Sequence, residues 1–267
     1  MSQKSSNKFK IEKVNRVNRA FWTLNAELDP ANKVTFVRLI DATKMDILRH
    51  QLEKANSIRP SYTSLVIKAA SIVLKEYPNA NRALLGLPFF KKLVQFTDMD
   101  ITVAVERDAK GAEENLVLAD TIYAVDSKSV SEITTELKAL SNADSDTNSR
   151  WRLFHDILSK LPIFISRIII RMPSFSPKLW VKHRGNACMV NSPAKYGIDQ
   201  IVVDQIWPLT VSFGWVKERP YVVDGEVTAR KTMPLFIIFD RRIMAGAPSA
   251  RFFNRLAEIL ENATELQ

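Results

Sequence analysis

The stretch LFIIFDRRIMAGAPSARFFNRL, residues 235–256, constrains the fold more than any other part of the chain. The apolar run Leu235 to Phe239 predicts a buried strand, and it stops abruptly at Asp240-Arg241-Arg242. A loop with one glycine, Gly246, then leads into a helix whose Phe252, Phe253, Leu256 and Ile259 recur at helical spacing. Strand ends of this kind often carry chemistry. This one offers two arginines and Ala245, and no residue able to move a proton at neutral pH.

The chain has 267 residues, enough for one large domain or two small ones with a proper core. Its 46% hydrophobic and 25% charged residues are the proportions of a soluble globular protein. The single cysteine, Cys188, rules out an internal disulfide framework, and His50, His155 and His183 lie too far apart for metal-ligand spacing. The N-terminal MSQKSSNKFKIEKVNR has no apolar core and reads as a basic lead-in over residues 1–14, not a secretory signal. No uncharged apolar stretch approaches the ~18 residues of a membrane span, so the expected location is cytoplasmic. The net charge of +9 is unevenly placed: residues 150–184 hold eight Lys/Arg against one acid, Asp156. Such an excess points to an anionic partner, whether nucleic acid, a lipid surface or a phosphorylated cofactor.

Patterning predicts a short helix around Asn18–Leu28, a strand over 33–41, and a helix over 42–56 capped by Asp41. Ser61 or Thr63 starts a nearly all-apolar helix over 64–78. A strand over 98–108, a turn over 109–115 and a second strand, LVLADTIY, precede a helix over 127–143 with a capping-type start. After the polar break 144–149 come strands in NACMVNS and QIVVDQIWPLTVSFGWVKE, then a hairpin turning at Asp224-Gly225. Irregular alternation with several hairpins predicts an α/β two-layer sandwich with a mixed β-sheet. Neither GxGxxG nor GxxxxGK[ST] occurs, which argues against nucleotide binding through a glycine-rich loop.

That order of elements resembles the catalytic domain of the 2-oxoacid dehydrogenase acyltransferases, related in fold to chloramphenicol acetyltransferase. The likeness runs from about Asn15 to Asn262 and is carried by VTFVRLIDATKMDILRHQLEKA, PSYTSLVIKAASIVLKEYPNANRAL, DITVAVERDAKG with the capped helix after it, and KERPYVVDGEVTARKTMPLFIIFD. The resemblance implies a single domain over 15–267 and a homotrimer. It also implies a histidine, in the motif Asp-His-Arg-x-x-Asp-Gly, that takes a proton from the thiol of coenzyme A or dihydrolipoamide. A thiol near pKa 8.5 needs such a base, and histidine titrates in the right range. Here the motif reads Asp240-Arg241-Arg242-Ile243-Met244-Ala245-Gly246. The histidine is replaced by Arg241 and the second aspartate by Ala245, and a guanidinium has no acceptor for a proton. Losing base catalysis alone costs ~10²–10⁴ in rate. The hydroxyl expected to support the oxyanion falls on Val190, or on Ser192 if a gap shifts the alignment.

Each candidate has a plainer reading beside the functional one. Arg241 binds a phosphate or carboxylate, or it is an interface arginine paired with a neighbouring acid. His183 is a substitute base or part of a solvated basic loop, and His50 and His155 have weaker claims. Cys188 is a nucleophile or a small core residue. The stretch 151–185 is longer and more apolar than the polar link implied by the resemblance. It reads as an apolar and basic helical insertion over about 150–184, with Trp151 and Trp180 near its ends. Residues 151–182 suit an anionic membrane surface on its inner, cytoplasmic face, or a cover that packs on the trimer or lines an acyl pocket. Nucleic acid is not favoured, because the aromatics sit within Leu/Ile runs and form no exposed stacking series. No lipoyl or peripheral-subunit-binding domain is visible in the sequence.

Three functions follow as expectations. The first is a catalytically degenerate binding or accessory subunit for acyl thioesters, with acyl-CoA or acyl carrier protein as partner and no cofactor beyond coenzyme A or a pantetheine thioester. The second is an active acyltransferase with a relocated base, and the third a peripheral membrane scaffold.

Overall fold

A computed structural model describes residues 33–87, 89–107, 115–143, 160–203 and 205–266, together with Arg16, Arg152, Leu153 and Leu158. The helix expected around Asn18–Leu28, nearly all of the turn over 109–115, the break at 144–149, Trp151 and His155 lie outside these residues.

The first half runs β1 (Lys33–Asp41), α1 (Thr43–Asn56), α2 (Tyr62–Glu76), the hairpin β2 (Arg82–Leu85) and β3 (Lys92–Gln95), then β4 (Ile101–Arg107), β5 (Leu116–Ile122) and α3 (Val130–Asn142). The second half runs α4 (Ile163–Arg171), α5 (Pro177–Arg184), β6 (Cys188–Asn191), β7 (Leu209–Phe213), β8 (Lys217–Val223), β9 (Glu226–Asp240) and α6 (Gly246–Asn262). Seven strands form one sheet in the order β1-β9-β7-β6-β4-β5, with β8 paired to the first part of β9. The sheet is mixed: β6 runs parallel to both β4 and β7, and the other pairings are antiparallel.

The run Leu235–Phe239 is buried because it lies between β1 and β7, with a core on each side. Alternate residues along the strands, among them Val103, Val190, Val211 and Ile237, join Met45, Leu65, Ile133 and Phe252 of the helices in the main core. On the opposite face Met189 packs with Trp180, Trp207, Leu85 and Phe96 in a smaller core beneath the hairpin and α5. This is the two-layer sandwich expected from the sequence.

Local rules explain the element boundaries. Ser129 and Glu132 form a reciprocal capping box at the start of α3. Ser61, not Thr63, caps α2 by accepting from the Ser64 N–H at 3.0 Å, so that helix starts two residues earlier than expected. It ends at Glu76 because Pro78 disfavours helical backbone at Tyr77. The Asp41 cap is corrected: its carboxylate accepts from the Thr43 N–H at 2.8 Å, and Ala42 occupies the cap position. At the tip of the β8–β9 hairpin, Asp224 and Gly225 both have positive φ, at 52° and 86°, as a two-residue turn with the right twist requires.

The stretch 160–184 folds as α4, a short 3-10 turn over Met172–Phe175, and α5. Trp180 is not a margin residue. It is 3% exposed and donates its indole N–H to the Asn186 carbonyl at 3.1 Å, because α5 lies flat on the sheet. The outward faces of α4 and the 3-10 turn expose Ile163, Phe164, Ile168, Met172 and Phe175.

Candidate functional site

At the end of β9 the chain makes a tight turn, with Asp240 paired to Lys33 across β1 and its N–H donated to the Pro208 carbonyl at 2.8 Å. The Arg242 side chain folds back on Asp240: Nε reaches the two carboxylate oxygens at 3.0 and 3.1 Å, and a terminal nitrogen reaches Oδ2 at 2.7 Å. The Arg242 backbone N–H adds a fourth bond at 2.9 Å. Asp240 therefore serves as an internal strut. Arg241 points outward, exposed and without an ion-pair partner among the described residues. No described acid of this chain takes the part of the neighbouring acid in the plainer reading, an interface arginine.

Ala245 occupies the cap position of α6 and offers no side-chain acceptor. Gly246, the first residue of that helix, meets nothing within 4 Å of where a Cβ would stand. Nothing within the described chain demands a glycine there.

Strand register fixes where the other candidates lie. Phe239 is level with Leu209 and Cys188, whereas Phe236 is level with Ser212 and Asn191. Ser192 is thus level with Leu235, six residues from Arg241, or about 20 Å at ~3.3 Å per residue. Arg241 and Ser192 lie at opposite ends of one sheet. Val190 is fully buried in the core under the helices, so its side chain does not face a site. Ser192 is half-buried; its hydroxyl donates to the Phe213 carbonyl at 2.8 Å and accepts from the Ala194 N–H at 3.1 Å.

Ser192 and Asn191 line a cleft of about 960 Å³, which Arg241, Ala245 and Gly246 do not reach. Five cations stand in its wall, Arg49, Arg59, Lys138, Arg184 and Lys195, against one carboxylate, Glu106. The Lys195 ammonium and the Tyr196 hydroxyl both bond Glu106, holding its carboxyl well below the usual range. Arg49 lies 3.9 Å over the Tyr62 ring and is paired to Asp46 at 3.0 Å. The Asn191 Oδ1 is buried with no hydrogen-bond partner among the described residues. A roomy cleft with a cationic wall suits an anionic ligand, and the Asn191 oxygen adds an acceptor for a donor group on it.

The remaining candidates separate cleanly. Cys188 is fully buried, and burial pushes its thiol up to about 12, so it is a core residue and not a nucleophile. His50 is exposed on α1 among Asp46, Glu53 and Arg59. His183 is half-buried in the last turn of α5 and lines a second, smaller cavity instead of the cleft. Among the described residues no group of three His, Cys, Asp or Glu could hold a metal ion. No described helix is long and apolar enough to cross a membrane.

A sequence profile of the 2-oxoacid dehydrogenases acyltransferase (catalytic domain) family matches residues 6–151 and 209–267. The chain belongs to this family. The dihydrolipoyllysine-residue acetyltransferase component of the pyruvate dehydrogenase complex of Zymomonas mobilis is 24% identical over 219 residues, which is 80% of this chain and 41% of that protein. The lipoamide acyltransferase component of the branched-chain alpha-keto acid dehydrogenase complex of Bacillus subtilis is 22% identical over 247 residues, 91% of this chain and 47% of that protein. The chain thus spans less than half the length of these curated relatives. Among solved structures, dihydrolipoamide acetyltransferase of Azotobacter vinelandii superposes with a TM-score of 0.67 at 20% identity, covering 98% of this chain and 96% of that one. The cubic core of the pyruvate dehydrogenase multienzyme complex gives 0.68 at 21% identity, covering 98% and 96%. These likenesses show the fold. The stretch 152–208, which holds α4, α5 and β6, lies between the two matched segments.

Sequence reasoning missed the cleft. Its cations come from the middle of α1, the loop between α1 and α2, α3, α5 and the turn after β6, and only the tertiary fold brings them together. It also missed Asn81, fully buried, whose amide donates to the Phe96 and Asp98 carbonyls and accepts from the Ala187 N–H. A polar residue directly after Pro78-Asn79-Ala80 was the available signal.

Proposed function

We propose that this member of the acyltransferase family is an acyl-thioester-binding subunit that has lost the thiol-activating base. The observation that carries the reading is the end of β9. The outward position holds Arg241, which cannot accept a proton, and the helix cap four residues on is Ala245. The one carboxylate in the turn, Asp240, is occupied by Arg242. The studied Azotobacter relative is described by the roles of a serine, a histidine and an asparagine in its mechanism, the last two four positions apart. Arg241 and Ala245 stand at that same separation here. Of the two hydroxyl positions, the register favours Ser192, which faces the cleft, over Val190, which faces the core.

A trimer completes the reading. Arg241 and Ser192 are about 20 Å apart in one chain, so only a second copy brings an Arg241 to a Ser192. The open space at Gly246 and the exposed Val222 and Val227 at the β8–β9 tip are where such a copy would approach. The cationic cleft suits the phosphates of coenzyme A or of a pantetheine carrier.

Thiol release from a panel of acyl-CoA donors tests this. The native chain should bind the donors and release no thiol above the buffer rate, and Arg241→His/Ala245→Asp should release thiol at least tenfold faster. Turnover by the native chain would refute the loss of function, and light scattering that gives a monomer would refute the shared site.

One observation favours a second role at a lipid surface. Phe89 and Phe90 at the β2–β3 tip are 93% and 74% exposed, and the Gly86 N–H bonds the Ser174 carbonyl beside the exposed Phe175. Residues 160–184 carry six Lys/Arg and no acid. Such a face should adsorb to anionic vesicles and release in salt. Equal adsorption by Phe89→Ser/Phe90→Ser/Ile168→Ser would refute it.

A further inference from the structure

A second cavity of about 310 Å³ opens beneath α4 and α5, and its chemistry differs from that of the cleft. Its floor is the outer face of β5 at Ala119, whose small side chain leaves a recess that a larger residue would fill. The roof is Ile169 and Ile170 of α4, Met172 and Pro173 of the 3-10 turn, and Leu179 of α5.

The polar groups around this roof are spoken for. The Trp207 indole donates to the Arg184 carbonyl at 2.8 Å, and the Arg184 guanidinium donates to the Ile170 carbonyl at 3.0 Å. At the far wall the buried Arg107 is paired with Asp120 at 2.8 Å and bonds the Leu140 carbonyl at 2.9 Å. Apart from these groups and the His183 imidazole, what lines the cavity is apolar: Leu118, Ala119, Ile169, Ile170, Met172 and Leu179.

The cavity also adjoins the cleft: Leu118, Ala119, Ile170, Arg184 and Trp207 line both. A cationic cleft that adjoins an apolar pouch matches an amphipathic anion, with its head among the cations and its tail in the pouch.

We propose that the pouch under α4 and α5 receives the hydrocarbon tail of a medium-chain acyl group whose anionic head lies in the cleft. A volume of 310 Å³ holds about ten chain atoms at the ~30 Å³ that a water molecule takes. The roof belongs to 152–208, outside the segments matched by the family profile, so the pouch is a property of this chain's own stretch. The inference deepens the acyl-thioester reading and rests on it for the identity of the head.

Calorimetry on the full chain with acetyl-, hexanoyl- and decanoyl-CoA, free coenzyme A and decanoate tests it. Affinity should rise about threefold per methylene, and decanoyl-CoA should bind at least a hundredfold more tightly than acetyl-CoA. In Ala119→Phe the ratio of those two affinities should fall to within about threefold, and Leu179→Trp, which fills the pouch from the roof, should do the same if the first variant fails to fold. Equal binding of acetyl- and decanoyl-CoA would overturn the pouch and leave the thioester reading standing. Tight binding of decanoate with no binding of any CoA ester would support the pouch and overturn the thioester reading. No binding by any of the five would overturn both.

Discussion

The turn that ends β9 is held by one ion pair, and its strength follows from the geometry. Asp240 receives four hydrogen bonds from Arg242, three of them through the guanidinium, at 2.7 to 3.1 Å. The carboxylate side chain is 7% exposed and the arginine 37%. Bonds to a charged partner are worth about 1.5–3 kcal/mol when buried. Exposure of the arginine lowers this toward the surface range, which leaves a coupling of about 1–2 kcal/mol. Asp240→Asn should lower Tm by about 2–8 °C, since ~1 kcal/mol moves a domain of this size by 2–4 °C. The decisive assay is a double-mutant cycle in urea with Asp240→Asn, Arg242→Gln and the pair together. Removing either partner should cost nearly as much as removing both. Costs that add to within about 0.3–0.5 kcal/mol would show that the two residues act independently, and the strut reading would fall.

Asn81→Leu should destabilise the chain by about 3 kcal/mol in urea, because it leaves the Phe96 and Asp98 carbonyls and the Ala187 N–H without their partner. Wild-type stability in that variant would contradict the clamp. Cys188 should resist a thiol reagent in the native state and react only at the rate of unfolding, as its burial and raised pKa require; rapid labelling of folded protein would contradict this. Asp46 is raised by burial, but the Lys231 and Tyr62 hydrogen bonds and the charges of Lys231 and Arg49 outweigh that and hold it at about 2. Its folded pKa lies below its unfolded one, so its stabilisation is complete above about pH 4 and lost as pH falls toward 2. With its exposed partners discounted, that loss is about 1–2 kcal/mol, and Asp46→Asn should show a correspondingly flatter stability profile over that range.

What the sequence revealed depended on how far each signal reached along the chain. Ser129 and Glu132 are three residues apart, and their capping box was legible because both halves lie in one local pattern. The Asp224-Gly225 turn and the run Leu235–Phe239 were legible for the same reason. Asp41 misled by one residue, because a carboxylate beside a helix start can satisfy the N–H two residues on without being the cap. Trp180 looked like a membrane-margin residue because its neighbours are basic, yet its indole needed a buried acceptor that only the Asn186 carbonyl supplies. The pouch was invisible, since Ala119 and the roof over it, Ile169 to Leu179, are about 50 to 60 residues apart in sequence.

The geometry also explains how a base could be lost while the scaffold stayed intact. In the motif, the positions that hold the turn together are Asp240 and Arg242, and both are kept and bonded to each other. Arg241 and Ala245 face outward, and neither takes part in the main core. Substitution at Arg241 costs the fold little, because exposed positions away from caps and networks usually move stability by less than about 0.5 kcal/mol. Even the lost cap is partly moot, because Pro248 has no N–H for an aspartate at 245 to accept. The cleft draws its cations from other elements, and neither Arg241 nor Ala245 lines it. Under the proposed function, binding rests on the cleft and proton transfer on the strand end, on different residues, so that the second can be lost without removing those of the first.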